Sequence, residues 1–227
     1  MNGGSSPPKK GPATLRRMRG FSMVEMIAVL GIVIIVLGIM FITLQPALRD
    51  ARVNGAYDNV LMLLRTARQR AIAERKRYIV VFGQPAPSGA PVPLGAPNPS
   101  SIQVFRWDVA QPVSPAPVQV STIDLPYDIQ FQTISGVPTG AAPDGFGNGS
   151  VAIDFDQGVG AGRTNLVMFL PDGSAHDTLG NLNNGILYLA RNSDLFSSKA
   201  ITVFGSTGRI RGWRLVSQSG VATWIEQ

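Results

Sequence analysis

The sequence predicts an α+β fold. One long N-terminal α-helix, apolar in its first half and amphipathic in its second, should pack on an antiparallel β-sheet or β-sandwich domain. Three observations predict it. Met26 to Leu48 carries no charged residue. Beyond that run, Val53, Tyr57, Val60, Leu64, Ala67 and Ala71 recur at helical spacing. From Arg77 onward the chain breaks into short β-rich runs separated by Gly, Pro, Asn and Asp.

The first 20 residues carry most of the chain's net charge. They hold Lys9, Lys10, Arg16, Arg17 and Arg19 and no acid. The whole chain of 227 residues has a formal charge of +6, but without those five bases 15 basic residues face 14 acidic ones. The high pI therefore belongs to the N-terminal head, and any basic patch further on must be local. The chain has no cysteine and one histidine, which excludes a disulfide framework, thiol chemistry and a His-rich metal site. No cofactor is expected.

The apolar run after the basic head is long enough to span a hydrocarbon core of roughly 30 Å. The bases before it put the N-terminus in the cytoplasm and everything after Leu48 outside it. A secretory signal peptide fits poorly, because the apolar region is too long and no A-x-A site closes it. A plain signal anchor leaves Glu25 unexplained. A carboxylate within a membrane segment costs a few kcal/mol, so it needs a partner or a function.

"RGFSMVEMIAVLGIVIIVLGIM", Arg19 to Met40, resembles the processing site of type IV pilins and type II secretion pseudopilins. The resemblance implies a leader over residues 1–20, cleaved after Gly20 by a prepilin peptidase. It implies N-methylation of the new first residue, Phe21, and a transmembrane and assembly helix over 21–48. Glu25, at the fifth mature position, matches the family's assembly carboxylate. Cleavage creates an amine on Phe21, and Glu25 of one subunit can pair with that amine on a neighbour, which offsets its desolvation in lipid. Other pilins or pseudopilins and the inner membrane are then the partners. The periplasm is the expected site of the C-terminal domain, and a filament outside the cytoplasm its destination. One departure is the missing mid-helix proline; Pro46 lies further on.

Pro46 is expected to kink the helix rather than end it, so the amphipathic extension runs over 49–77. Arg49, Arg52, Arg65, Arg68 and Arg70 fall largely off the apolar stripe. They read as a solvated face, with bases near the C-terminus that suit the helix dipole; DNA contact is the sharper alternative.

The β-rich domain over 78–227 follows. Strands are predicted at 77–82, 102–109, 118–123, 151–155, 165–170, 185–190 and 200–205. The uncharged Pro-rich stretch 83–101 reads as an extended loop, as does 111–117. "FLPDGSA" (Phe169 to Ala175) and "AITVFGSTGRIR" (Ala200 to Arg211) resemble the C-terminal half of the FimT/GspH group of minor pilins and pseudopilins. That resemblance implies the same fold: a helix plus a compact β domain.

Four features compete for a site. In "GSTGRIRGWR" (Gly205 to Arg214), Arg209 and Arg211 share one face of an extended chain, Arg214 follows, and Trp213 offers a stacking surface. Gly208-Arg209-Ile210-Arg211 matches the Gly-Arg-x-Arg motif of FimT-like minor pilins that bind DNA during natural transformation. The match implies contact with double-stranded DNA. The plainer reading is a basic hairpin tip paired with acids such as Asp194 or Glu226. From Tyr78 onward 7 bases face 10 acids, so the domain itself is not basic. Asp154 and Asp156 fall on one strand face and suit Ca²⁺ or, more simply, a strand end. The Gly-rich 145–150 and 158–162 lack the Lys and the following helix of a phosphate loop. His176 has no partner that sequence can nominate, and no Gly-x-Ser-x-Gly elbow is present, so assembly rather than catalysis is expected.

Overall fold

The computed structural model describes residues 21–83, 100–108, 116–140, 142–147, 149–157 and 164–227. The leader with Gly20, nearly all of the Pro-rich 83–101 and the Gly-rich 158–162 lie outside them, as do the side chains of 156–157. The chain divides into two compact units, residues 1–46 and 47–227.

The helix α1 (Met23–Glu74) runs through Pro46 without ending. In the first unit, every described residue of 21–46 is exposed. In the second unit the helix buries Val53, Ala56, Tyr57, Val60, Leu64, Ala67 and Ala71. That is the predicted stripe with Ala56 added. Fully burying a Val or Leu contributes about 1.5–3 kcal/mol, so Val60 and Leu64 alone anchor this half firmly.

The helix ends three residues earlier than the expected Arg77. Arg75 takes a left-handed conformation with φ 53°, and Lys76 N–H donates to Ala71 O at 3.3 Å. The last turn holds no base. The dipole account of the trailing bases is therefore replaced by specific contacts. Lys76 pairs with Asp108 at 3.0 Å, and the Arg77 guanidinium lies 5.4 Å from the centre of the Trp107 ring.

Eleven strands are present among the described residues. β1 (Arg77–Phe82), β2 (Ser101–Trp107), β3 (Val118–Asp124), β6 (Leu166–Phe169) and β7 (Ala175–His176) form one sheet in the order β3-β2-β1-β6-β7. The second sheet has the order β11-β10-β9-β8-β4, made of β4 (Ile129–Phe131), β8 (Asn184–Arg191), β9 (Lys199–Val203), β10 (Ile210–Gln218) and β11 (Val221–Glu226). β5 (Ile153–Gln157) pairs with β8 beside β4. All these pairings are antiparallel.

The core lies where the two sheets and the second half of α1 meet. Tyr78, Val80 and Phe82 of β1 join Leu187 and Leu189 of β8, Ile201 and Val203 of β9 and the helix stripe in one cluster. Phe82 stacks on Phe155 and meets Phe131 edge-on, each at 5.6 Å, so the sheets touch directly. Alternation along β1 sends Ile79 and Val81 to the opposite face, where Phe105, Leu166 and Met168 join them. The fold is thus α+β, with one long helix on antiparallel sheets.

The hairpin β10–β11 was not predicted from sequence. Its turn, Ser219 at φ 52° and Gly220 at φ 80°, is the type that tight hairpins use.

Candidate functional site

At the head of α1, Phe21 is 75% exposed and Glu25 lies in the first turn. Met26 N–H donates to Ser22 O at 3.1 Å, so the helix is already wound beside Glu25. Glu25 is the one charged group between Phe21 and Leu48. By length and composition α1 is able to cross a membrane. Each side chain of 21–46 is exposed.

The second region is the turn between β9 and β10. Arg209 ends the turn, and its guanidinium lies 5.1 Å from the centre of the Phe204 ring, with that of Arg211 at 5.9 Å. The two arginines do share a face, as extended spacing predicts. Their surroundings differ. Arg209 is exposed. Arg211 donates from Nη1 to Asp144 Oδ1 at 2.7 Å and pairs through Nε with Glu226 Oε1 at 3.1 Å. Asp144 has a side chain only 7% exposed, so this pair is partly desolvated. Asp194 is bonded to Arg191 instead.

Arg214 points the other way. Gly212, two residues before it on β10, faces Tyr57 of α1, so Gly212 and Arg214 share the helix-facing side. There Arg214 lines a depression with Asp50, Asn54, Asp194 and Lys199. Trp213 is not a free stacking platform either. Its Nε1–H donates to Thr202 Oγ1 at 3.1 Å, and it packs against Tyr188 and Leu215.

Sequence reasoning missed the pocket that adjoins the turn. Arg209 lines an open pocket of about 510 Å³ together with Arg65, Arg68, Gln69, Thr207 and Gly208. Arg68 is no solvated residue. It donates through Nε to Gly173 O at 3.0 Å and through Nη2 to Thr207 O at 2.9 Å. The signal was present in the arginines at 65 and 68, one helical turn apart, but only tertiary packing brings them to the β9–β10 turn.

His176 has a partner after all. Its Nε2 lies 2.9 Å from Ser174 Oγ and its Nδ1 lies 2.9 Å from Gly180 O. Ser174 donates its N–H and hydroxyl to Asp172 Oδ1 at 2.9 and 2.5 Å, and these bonds hold the Asp172 carboxyl below its ordinary range. In a hydrolytic triad the carboxylate holds the imidazole and the serine faces substrate. Here the carboxylate holds the serine, which is 6% exposed, so the group braces a turn. Asp154 is buried on β5. Among the described residues no group of His, Asp and Glu is placed to hold a metal ion.

No family model and no curated protein matches the chain. Two crystal structures do, both of the type IV minor pilin FimU of Pseudomonas aeruginosa strain PAO1, at 11% identity. Their TM-scores are 0.39 and 0.38, and they cover 75% of this chain and 92% and 96% of theirs. At that identity the role of each side chain has to be argued from this chain's own residues.

Proposed function

We propose that this chain is a minor pilin or pseudopilin. A prepilin peptidase cuts it after Gly20 and methylates Phe21. The N-terminal helix then builds it into a type IV pilus or a type II secretion pseudopilus, where it starts or caps the filament. Before assembly it sits in the inner membrane with its N-terminus cytoplasmic and its β domain periplasmic. One observation carries this reading. An apolar helical segment, exposed on every side, holds a single carboxylate in its first turn. Lipid can cover the apolar faces, but it leaves Glu25 without a partner. A second copy or a related subunit covers the apolar faces and offers the Phe21 amine to Glu25.

Glu25→Ala tests the pairing. The variant should reach the membrane in normal amount and be lost from sheared filaments by tenfold or more, in line with the roughly 1.5–3 kcal/mol of a hydrogen bond to a charged group. Incorporation at the wild-type level would overturn it.

A second reading, capture of double-stranded DNA at a filament tip, has one observation in its favour. Arg209 is exposed beside two helix arginines in a pocket with no carboxylate among its lining residues. A processed wild-type chain that failed to bind duplex DNA at low salt would end that reading.

A further inference from the structure

We propose that one end of the β domain is a lipid-docking surface. Before assembly, Tyr127, Phe196 and the tip of the β10–β11 hairpin rest in the headgroup layer of the bilayer that holds the N-terminal helix. This rests on the membrane-anchored state proposed above and adds a second contact with the same bilayer.

The surface lies beside the point where the apolar run ends. Leu48 closes that run, and Arg49, Asp50 and Arg52 follow it. Three segments of the β domain meet the helix there. Arg52 Nη1–H donates to Tyr127 Oη at 2.8 Å, and Nη1 lies 3.5 Å from Asp128 Oδ2. Phe196 and Ser217 line a depression with Asp50 and Asn54. Gly212 of β10 meets Tyr57, and Ser217, five residues on, has reached Asp50. β10 therefore runs back along the helix toward Leu48, and its hairpin turn falls at this end.

Depth selects the occupant. The headgroup layer on each side of a bilayer is about 5–7 Å thick. Arg52 stands four residues, or about 6 Å, along the helix from Leu48. The ring that Arg52 holds is thus at headgroup depth with the helix along the bilayer normal, and tilt brings one flank closer.

The side chains suit that layer. Tyr127 is 84% exposed, more than any other large apolar side chain among the described residues, those of the apolar run included. It is not loose. Its hydroxyl accepts from Arg52, whose guanidinium carbon lies 5.3 Å from the ring centre, so less freedom is lost on binding. A tyrosine has an apolar ring and a polar tip, the combination that gathers between acyl chains and headgroups. Phe196 and Val221 are exposed and add apolar area. Gln218, Ser219 and Gly220 carry no charge, so the tip enters without desolvating an ion. Arg49 is exposed beside Leu48 and suits a lipid phosphate. Of the nearby acids, Asp128 is paired with Arg52 and Asp194 with Arg191, while Asp50 shares its depression with Lys199 and Arg214.

The chain has no cysteine, so a single introduced cysteine can carry a nitroxide without background. The test is EPR on the full processed chain at low density in phosphatidylethanolamine–phosphatidylglycerol vesicles. The reporter is Gln218→Cys in the hairpin tip. References are Ile35→Cys in the apolar run and Leu179→Cys in the loop after β7. Gly173, just before β7, stands against Ile72, about 30 Å along the helix from Asp50, so Leu179 belongs to the far end of the domain. The Gln218 label should show a docked component shielded from an aqueous nickel complex, and the Leu179 label should show none. Tyr127→Ser with Phe196→Ser should lower the ratio of docked to free components about tenfold or more, as the loss of two partly buried rings implies. Met62→Ser with Leu179→Ser removes exposed apolar side chains elsewhere and should leave the ratio within about twofold. Circular dichroism and Tm confirm that each variant folds.

A Gln218 label as open to the nickel complex as the Leu179 label, with the Ile35 label in lipid, would overturn the surface and leave the membrane anchor standing. An Ile35 label open to water would end the membrane reading as well. A docked component that disappears as chain density falls would assign the surface to a second copy. An equal loss in the Met62 and Leu179 variant would reduce the contact to unspecific apolar adhesion.

Discussion

Lys199 shows how much one residue's surroundings matter. It lies on β9 and is 7% exposed. Its Nζ is 5.5 Å from the centre of the Tyr57 ring and 3.5 Å from Gln227 Oε1. Burial, and then the charge of Arg214, push its pKa below the usual 10.5; Asp58 and Asp50 pull the other way. Between the folded pKa and 10.5 the unfolded chain binds the proton more strongly. Stability therefore rises with pH across that window, and the deficit is fully present below the folded pKa. Lys199→Met should stabilise the protein at pH 7 by on the order of 1 kcal/mol, and the gain should shrink as the pH approaches 10.5. Chemical denaturation at several pH values checks this. A gain that does not change with pH would contradict it.

Between elements, the contact of α1 with β10 is tight enough to predict. A Cβ on Gly212 would stand 1.6 Å from Tyr57 Oη. That hydroxyl is buried without a hydrogen-bond partner among the described residues, and burial, ahead of the charge of Asp58, pushes its pKa up to about 12. Gly212→Ala should cost about 1–3 kcal/mol. Tyr57→Phe should be neutral or slightly stabilising, since it removes a buried hydroxyl that nothing satisfies. The double variant should recover at least about 1 kcal/mol of the Gly212→Ala loss, read as the coupling in a double-mutant cycle. Additive effects would mean that the two elements do not meet there.

The same contact shows what the sequence made legible. The helix stripe from Val53 to Ala71 was readable because period 3.6 and burial coincide over five turns. Seven strands were readable because β-branched and aromatic runs lie between turn residues. β4 and β7 have three and two residues, too short for any pattern. β10 was missed because Arg211, Gly212 and Arg214 break its apolar alternation. Arg211 answers to Asp144 and Glu226 and Gly212 to Tyr57, all outside the strand itself. The candidate site was half legible for the same reason. "GRIR" marks the turn, but its neighbours Arg65 and Arg68 come from a helix more than a hundred residues earlier, and the carboxylates that occupy Arg211 come from two other segments.

At the scale of the whole molecule, charge is divided by function. In the proposed function, the bases of the first 20 residues set membrane orientation and leave with the leader. Residues 21–227 hold 15 bases and 14 acids, so the proposed mature chain is near neutrality and has no strong general field. The N-terminal helix, in the proposed function, serves membrane and filament, while the β domain gives the subunit its own surface. In the proposed function, processing turns a membrane anchor with a lone acid into a subunit that can dock. The most direct measurement is the intact mass of the protein purified from membranes that contain an active prepilin peptidase. The expected mass is that of residues 21–227 plus one methyl group, with Phe21 as the modified N-terminus. A mass that includes residues 1–20, or a cut at another position, would contradict it.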